Sequence, residues 1–211
     1  MVKQVRAART RQALIVAAAE IFADVGYASA TLPAISKRAG VSSGALHFHF
    51  ATKDSLAAEV EAEAAESVRE LADRCRSEVD TSLQALVDTT CCLLLVLAAD
   101  PVVRAGFRLS GDPSRPGEAE MLNWWRTLVR DLISQAERAG ELARDVSPEA
   151  ATVAIVAATF GFQAAGAADR AWLAAERVAQ FWNFVLPRLA ASPDHGLVST
   201  VARDDLGGWS E

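Results

Sequence analysis

The sequence predicts an all-α protein, and three observations predict it. Hydrophobic content is 51 % and is weighted to Ala and Leu, with few clusters of strand-forming residues. Apolar residues recur at helical spacing along most of the chain. Start signals also recur: Thr31 ahead of Pro33, Ser42, Thr52, Asp100-Pro101 and Ser147-Pro148 each place a capping oxygen before an apolar-periodic run.

Lys3 to Arg11 form a basic arm leading into the first helix. Its buried stripe is Ala13, Leu14, Ala17, Ala18, Ile21, Phe22 and Val25, and Gly26 ends it. Tyr27 then packs on the core. Thr31 caps a second helix through Ala34, Ile35, Lys37 and Arg38. Ala39-Gly40-Val41 makes a tight turn in which glycine supplies a positive φ. Ser42 caps a short third helix: Leu46 faces inward, while Ser43, Gly44 and His47 share the opposite face. A small, polar outward face suits close approach to another surface, such as a DNA groove. Two short helices joined by a Gly turn make a helix–turn–helix, whose second helix enters the major groove.

The charge distribution agrees. Net charge is −6, yet residues 1–53 carry seven basic residues (Lys3, Arg6, Arg9, Arg11, Lys37, Arg38, Lys53) against Glu20 and Asp24, a balance of +5 that leaves −11 on the rest. A basic head on an acidic body directs a polyanion to one end.

Thr52 caps a long helix with the stripe Leu56, Val60, Ala64, Val68, Leu71 and Cys75. Its other face is acidic (Glu59, Glu61, Glu63, Glu66, Glu70, Asp73) and reads as solvated. Asp80 or Thr81 starts the next helix, apolar on several faces from Cys91 onward and therefore buried. Asp100-Pro101 opens a short helix to Ser110, and Gly111 to Gly117 is a mobile loop. Ser147-Pro148-Glu149 opens an Ala-rich helix, and the last helix is expected over 172–189, interrupted near its end by Pro187. Ser192 to Glu211 reads as a weakly ordered tail.

Three cysteines without CxxC spacing imply reduced, mostly buried thiols. His47 and His49 lie two apart and point different ways, and His195 has no partner in sequence, so no metal site is expected. No uninterrupted apolar run reaches the ~18 residues of a membrane span, and the first residues lack an apolar signal core; a cytoplasmic protein is expected. Gly-rich phosphate loops, GxSxG and HExxH are absent, and the acids are dispersed along helix surfaces, so neither an enzyme nor a cofactor is expected.

Residues 5–60 resemble the DNA-binding domain of TetR-family transcriptional regulators. The matching pieces are Arg11…Ala17-Ala18…Phe22…Gly26-Tyr27, Thr31-Leu32-Pro33-Ala34-Ile35, Ala39-Gly40-Val41-Ser42-Ser43-Gly44-Ala45-Leu46, and His49-Phe50 with Lys53-Asp54-Ser55-Leu56. Arg6 to Arg11 and the Pro-Val-x-Arg-Ala-Gly-x-Arg-Leu run of Pro101 to Leu109 resemble the γ-butyrolactone receptor branch of that family. The resemblance implies about nine helices and three segments: a DNA-binding domain over 1–53, a ligand-binding and dimerisation domain over 54–191, and the tail 192–211. It implies phosphate contacts at Arg11, Thr31, His49 and Lys53, with Ser43, Gly44 and His47 facing the bases or nearby backbone. It places Phe107, Trp125, Thr159, Phe160 and Gln163 toward a small hydrophobic effector. It pairs the last two helices with a second copy, so a homodimer meets a near-palindromic operator on double-stranded DNA. The expected function is a repressor of antibiotic production or its signalling, released by a γ-butyrolactone-like signal, an antibiotic or an intermediate.

The chain departs from the family at informative places. Where close relatives read Thr-Lys-Gly-Ala-Leu-Tyr-Phe-His-Phe, this chain has Ser42-Ser43 and His47 in place of Thr-Lys and Tyr. That motivates an alternative, a small-molecule binder of the same fold with weak or no specific DNA binding. Ala64 stands where butyrolactone receptors tend to carry Gln, which removes a polar group and is expected to open volume for a larger ligand.

Overall fold

The computed structural model describes residues 2–115 and 120–191. Among them it is helical: α1 (Val2–Ser29), α2 (Leu32–Arg38), α3 (Ser43–His49), α4 (Lys53–Ser77), α5 (Ser82–Ala99), α6 (Pro101–Ser110), α7 (Glu120–Arg138), α8 (Pro148–Ala168) and α9 (Ala175–Leu189). The predicted tail and the end of the predicted mobile loop lie outside the described residues. The chain forms two compact units. One takes the residues up to Ser67 together with Asp100–Leu122; the other takes Val68–Ala99 and the chain from Asn123 onward. Packing therefore divides the chain differently from the expected break after residue 53, because the start of α4 and all of α6 belong with the head.

In the first unit, Leu14, Ile15, Phe22, Ile35, Leu46 and Leu56 form a core that Ala105 and Leu109 of α6 complete. α1 breaks at Gly26, whose φ of 81° is open to glycine alone without strain. Val25, expected on the buried stripe, is half exposed just before the break. Caps form where the sequence put them. Thr31 accepts the Ala34 N–H (3.3 Å) and Ser42 accepts that of Ala45 (3.2 Å). Between these helices Gly40, at φ 67°, lets the Val41 N–H return to the Ser36 carbonyl (3.0 Å). Thr52 and Ser55 cap α4 reciprocally, each side chain accepting the other's backbone N–H at 3.2 and 3.0 Å.

The predicted stripe of α4 is buried throughout, from Leu56 to Cys75. Its acid face is not simply solvated, contrary to expectation. Glu59 pairs with Arg11 at 2.5 Å, Glu61 pairs with Arg115, and Glu63 accepts from the Gln12 amide at 3.1 Å. Sequence periodicity marks a polar face but not the cations that other elements bring to it. The described part of the Gly111 loop is held by the Arg115 pair and by Asp112, which accepts the Ser114 N–H at 2.9 Å.

In the second unit, Thr81 caps α5 by accepting the Gln84 N–H (3.2 Å). The Glu141 carboxylate reaches the same helix end and accepts from Ser82 (3.3 Å) and Leu83 (2.8 Å), placing an anion on the positive end of the helix dipole. Glu141 is fixed by pairing of the adjacent Leu142 with Ala190 after α9. α5 is buried on nearly every side. Among the described residues, Gln4–Ser29, Ser82–Ala99 and Pro148–Ala168 have the length and mean apolarity of a membrane span, although none is an uninterrupted apolar run. An average over a helix tolerates the scattered polar residues that break an uninterrupted run. The cysteines are free and buried, as expected. The last helix starts later than expected: Arg170–Leu173 form a 3₁₀ turn, Ala174 is extended, and α9 begins at Ala175 and runs through Pro187.

One contact in the first unit is unusually close. A methyl group placed on Gly106 of α6 would lie 2.4 Å from Cβ of Ala64 and 3.2 Å from Cε of Met121. Ala64 therefore does not open volume beside it; α6 approaches closely and occupies the space. Gly106→Ala should overpack this contact and destabilise the fold by about 1–3 kcal/mol in urea unfolding. Ala64→Gly in the same chain should recover part of the loss, since the two side chains share one space.

Candidate nucleic-acid interface and ligand residues

Ser43, Gly44 and His47 are exposed on α3, as expected, while Leu46 is buried beneath them. At about 100° per residue the exposed arc continues to Phe48. That ring is 81 % exposed and lies edge-on to His49, with centroids 5.1 Å apart. Phe48 was not among the residues expected to face the groove. Its angular position beside Gly44, away from Leu46, was the available signal. His49 is half-buried.

The other predicted phosphate contacts sit less simply. Thr31 is exposed, with its hydroxyl oxygen engaged in the α2 cap. Arg11 pairs with Glu59 and lies over the Phe50 ring, 5.4 Å from its centroid. Lys53 is turned inward: its ammonium donates to the carbonyls of Tyr27 (2.9 Å) and Ala30 (3.0 Å) and lies 4.2 Å from the Tyr27 ring centre. Two of its three N–H donors are thereby used inside the head.

Tyr27 is the hub of this corner. Its hydroxyl donates to Asp54 and its backbone N–H to Asp112 (3.3 Å). Burial, with the hydrogen bond and charge of Asp54, pushes its pKa up to about 12. Arg108 of α6 donates to the Ala23 carbonyl at 2.6 Å beside the Gly26 break.

Of the predicted ligand residues, Phe107 is buried on α6 in the first unit. Trp125, Thr159, Phe160 and Gln163 belong to the second. Trp125 is fully buried, and its indole N–H has no acceptor among the described residues. Thr159 is buried and donates its hydroxyl proton to the Ile155 carbonyl at 2.9 Å, leaving oxygen lone pairs to accept. Phe160 and Gln163 are half-buried. Among the described residues no group of three or more His, Cys, Asp or Glu could hold a metal ion.

The family of bacterial regulatory proteins of the tetR type matches residues 14–60. The A-factor receptor protein of Streptomyces griseus is 32 % identical over 192 residues, covering 90 % of this chain and 67 % of that protein. The chain belongs to the TetR family. Its fold is similar to a crystal structure of a γ-butyrolactone receptor (ArpA-like protein), with TM-score 0.74, 30 % identity, and 88 % of this chain and 90 % of that one covered. It is also similar to CprB of Streptomyces coelicolor in complex with its biological operator sequence, with TM-score 0.80, 29 % identity, and 93 % and 96 % covered. A TetR-family chain is a DNA-binding regulator and not an enzyme.

In this TetR-family head the single tyrosine makes the corner directly observable. Below about pH 10 both folded and unfolded chains hold the phenol proton, and the corner's contribution to stability is complete. Above that the unfolded chain releases it first, so the contribution is lost as pH rises through about 12. Tyrosinate absorbance should therefore titrate near pH 12 in the folded protein. Asp54→Asn should bring the midpoint down toward the ordinary phenol value.

Proposed function

We propose that this chain is a dimeric, ligand-released repressor of antibiotic production or its signalling, acting in the cytoplasm. The observation that carries the reading is kinship with the A-factor receptor protein over 90 % of the chain, joined to a short helix whose polar arc faces outward. On this reading α3 enters the major groove of a near-palindromic operator, with Ser43, Gly44 and His47 toward the bases and Arg11, Thr31, His49 and Lys53 toward phosphates.

The partner surface we assign is α8 with α9. Val153, Ala157, Gly161, Ala164 and Ala168 make an exposed stripe of small and apolar residues along α8. On α9, Val178, Trp182 and Leu186 are buried within the unit, whereas Phe184 is 83 % exposed. The stripe and Phe184 together support pairing with a second copy, with two-fold symmetry presenting two heads to the DNA.

The effector we assign is small and largely apolar, with an acceptor for the Trp125 indole and a donor for Thr159, beside Phe160 and Gln163. Its binding favours a head separation that no longer matches successive grooves. The coupling is reciprocal, so operator DNA weakens effector affinity by the same factor. The inward-held Lys53 and the uncharged Ser43 favour a second reading, a ligand binder with weak specific DNA recognition.

A salt titration decides between them, comparing DNA upstream of the chain's own coding region with random DNA of equal length. The repressor reading expects much tighter binding upstream; the second reading expects equal binding with one salt slope. Ser43→Lys should tighten binding and steepen the slope by about one unit. Trp125→Ala should keep operator binding and lose release by whichever probe acts on the parent, an alkyl γ-butyrolactone or an aromatic polyketide. For the dimer, Val153→Asp with Phe184→Asp should shift sedimentation from dimer to monomer while helical circular dichroism is retained.

A further inference from the structure

Phe48 is the most exposed large apolar side chain described in the first unit. Two residues on, Phe50, extended just past the end of α3, is buried in the core, so the fold turns a phenyl ring inward where it uses one. The Phe48 ring takes no part in that core. It is steadied instead by the edge of the His49 imidazole, at an interplanar angle of 86°. The remaining groups of the arc are small or polar. Ser43 offers a hydroxyl, His47 an imidazole, and Gly44 has only the Ser42 hydroxyl, at 4.0 Å, near the place a methyl group would occupy. The arc therefore presents one hydrated apolar ring at the end of a low polar surface.

The base-pair edges of the major groove offer few matches for such a ring. They display hydrogen-bond donors and acceptors, and only thymine adds an apolar group, its C5-methyl. A phenyl ring set against any other edge desolvates polar atoms without compensating them. We infer that Phe48 is a specificity-determining residue that reads thymine, packing its ring on the C5-methyl of a thymine in each operator half-site. This rests on the DNA-binding reading above and adds a base preference that Ser43 and His47 do not supply.

The test is selection of bound duplexes from a random double-stranded DNA pool by the full chain, followed by affinity measurement on the selected duplex. Each thymine is then replaced singly by deoxyuridine, which removes only the methyl. The parent chain should lose about fourfold in affinity at one thymine per half-site, and about fifteenfold when both half-sites are changed. Phe48→Ala should bind thymine and uracil forms equally, at about the parent's affinity for the doubly substituted duplex. Because the ring lies outside the core, its helical circular dichroism should match the parent's. Two results overturn the inference: no uracil substitution weakens the parent, or Phe48→Ala keeps the discrimination, whether or not it weakens both forms. Failure of the parent chain to enrich any sequence would instead overturn the DNA-binding reading, and this inference with it.

Discussion

The head depends on one corner, the turn from the end of α1 into α2, held around Tyr27. The chain must reverse there immediately before the helix–turn–helix, and the Gly26 break leaves backbone carbonyls without helical partners. Lys53 donates to the carbonyl of Ala30 and to that of Tyr27, which also accepts the Ala30 N–H at 3.3 Å, and its charge rests against the Tyr27 ring. A hydrogen bond from a charged donor contributes about 1.5–3 kcal/mol. Asp54 and Asp112 engage the same tyrosine through its hydroxyl and N–H, and Arg108 takes the Ala23 carbonyl. Thus the end of α1, the start of α4 and the loop after α6 meet at Tyr27, with Arg108 of α6 bound one helical turn earlier. The position of α2 and α3 relative to the rest of this unit follows from that junction, since only Ala30 and Thr31 separate the end of α1 from α2.

Local features of this arrangement were legible in the sequence. Caps at Thr31, Ser42, Thr52, Asp100 and Ser147 depend on a side chain and the next three residues, so a reader of the chain has everything needed to place them. The stripe of α4 and the burial of α5 follow from periodicity and composition in the same way. What was hidden depends on partners far apart in the chain. Lys53 looks like a surface cation until the Tyr27 and Ala30 carbonyls are brought to it from more than 20 residues away. The acids of α4 look solvated until Arg11 and Arg115 arrive. Ala64 looks like a vacated site until the backbone of α6 closes on it at Gly106.

The candidate sites divide along the same line. Ser43, Gly44 and His47 could be placed outward because a two-turn helix has few faces and Leu46 defines the inner one. Phe48 shares that outer arc, although its hydrophobicity alone would suggest the core. On α9, Val178, Trp182 and Leu186 are core residues, whereas Phe184 is exposed. In both helices exposure, not residue type, separates these two rings from the packed side chains.

The same contacts limit what electrostatics can do for DNA recognition. The +5 balance of the head overstates its grip on phosphate, because part of that charge is already answered internally. Arg11 faces Glu59, Arg38 faces Glu20 at 2.6 Å, and Lys53 faces carbonyls. A phosphate drawing Arg11 away leaves Glu59 unpaired near another anion, so the exchange gains less than binding to an isolated cation. Arg6, Arg9 and Lys37 are exposed and attract DNA directly, but such contacts act alike on every sequence. A head with a moderate phosphate grip relies more on complementarity within the groove. That complementarity has to come from the arc of α3, where a hydroxyl, an imidazole and an apolar ring stand within two helical turns.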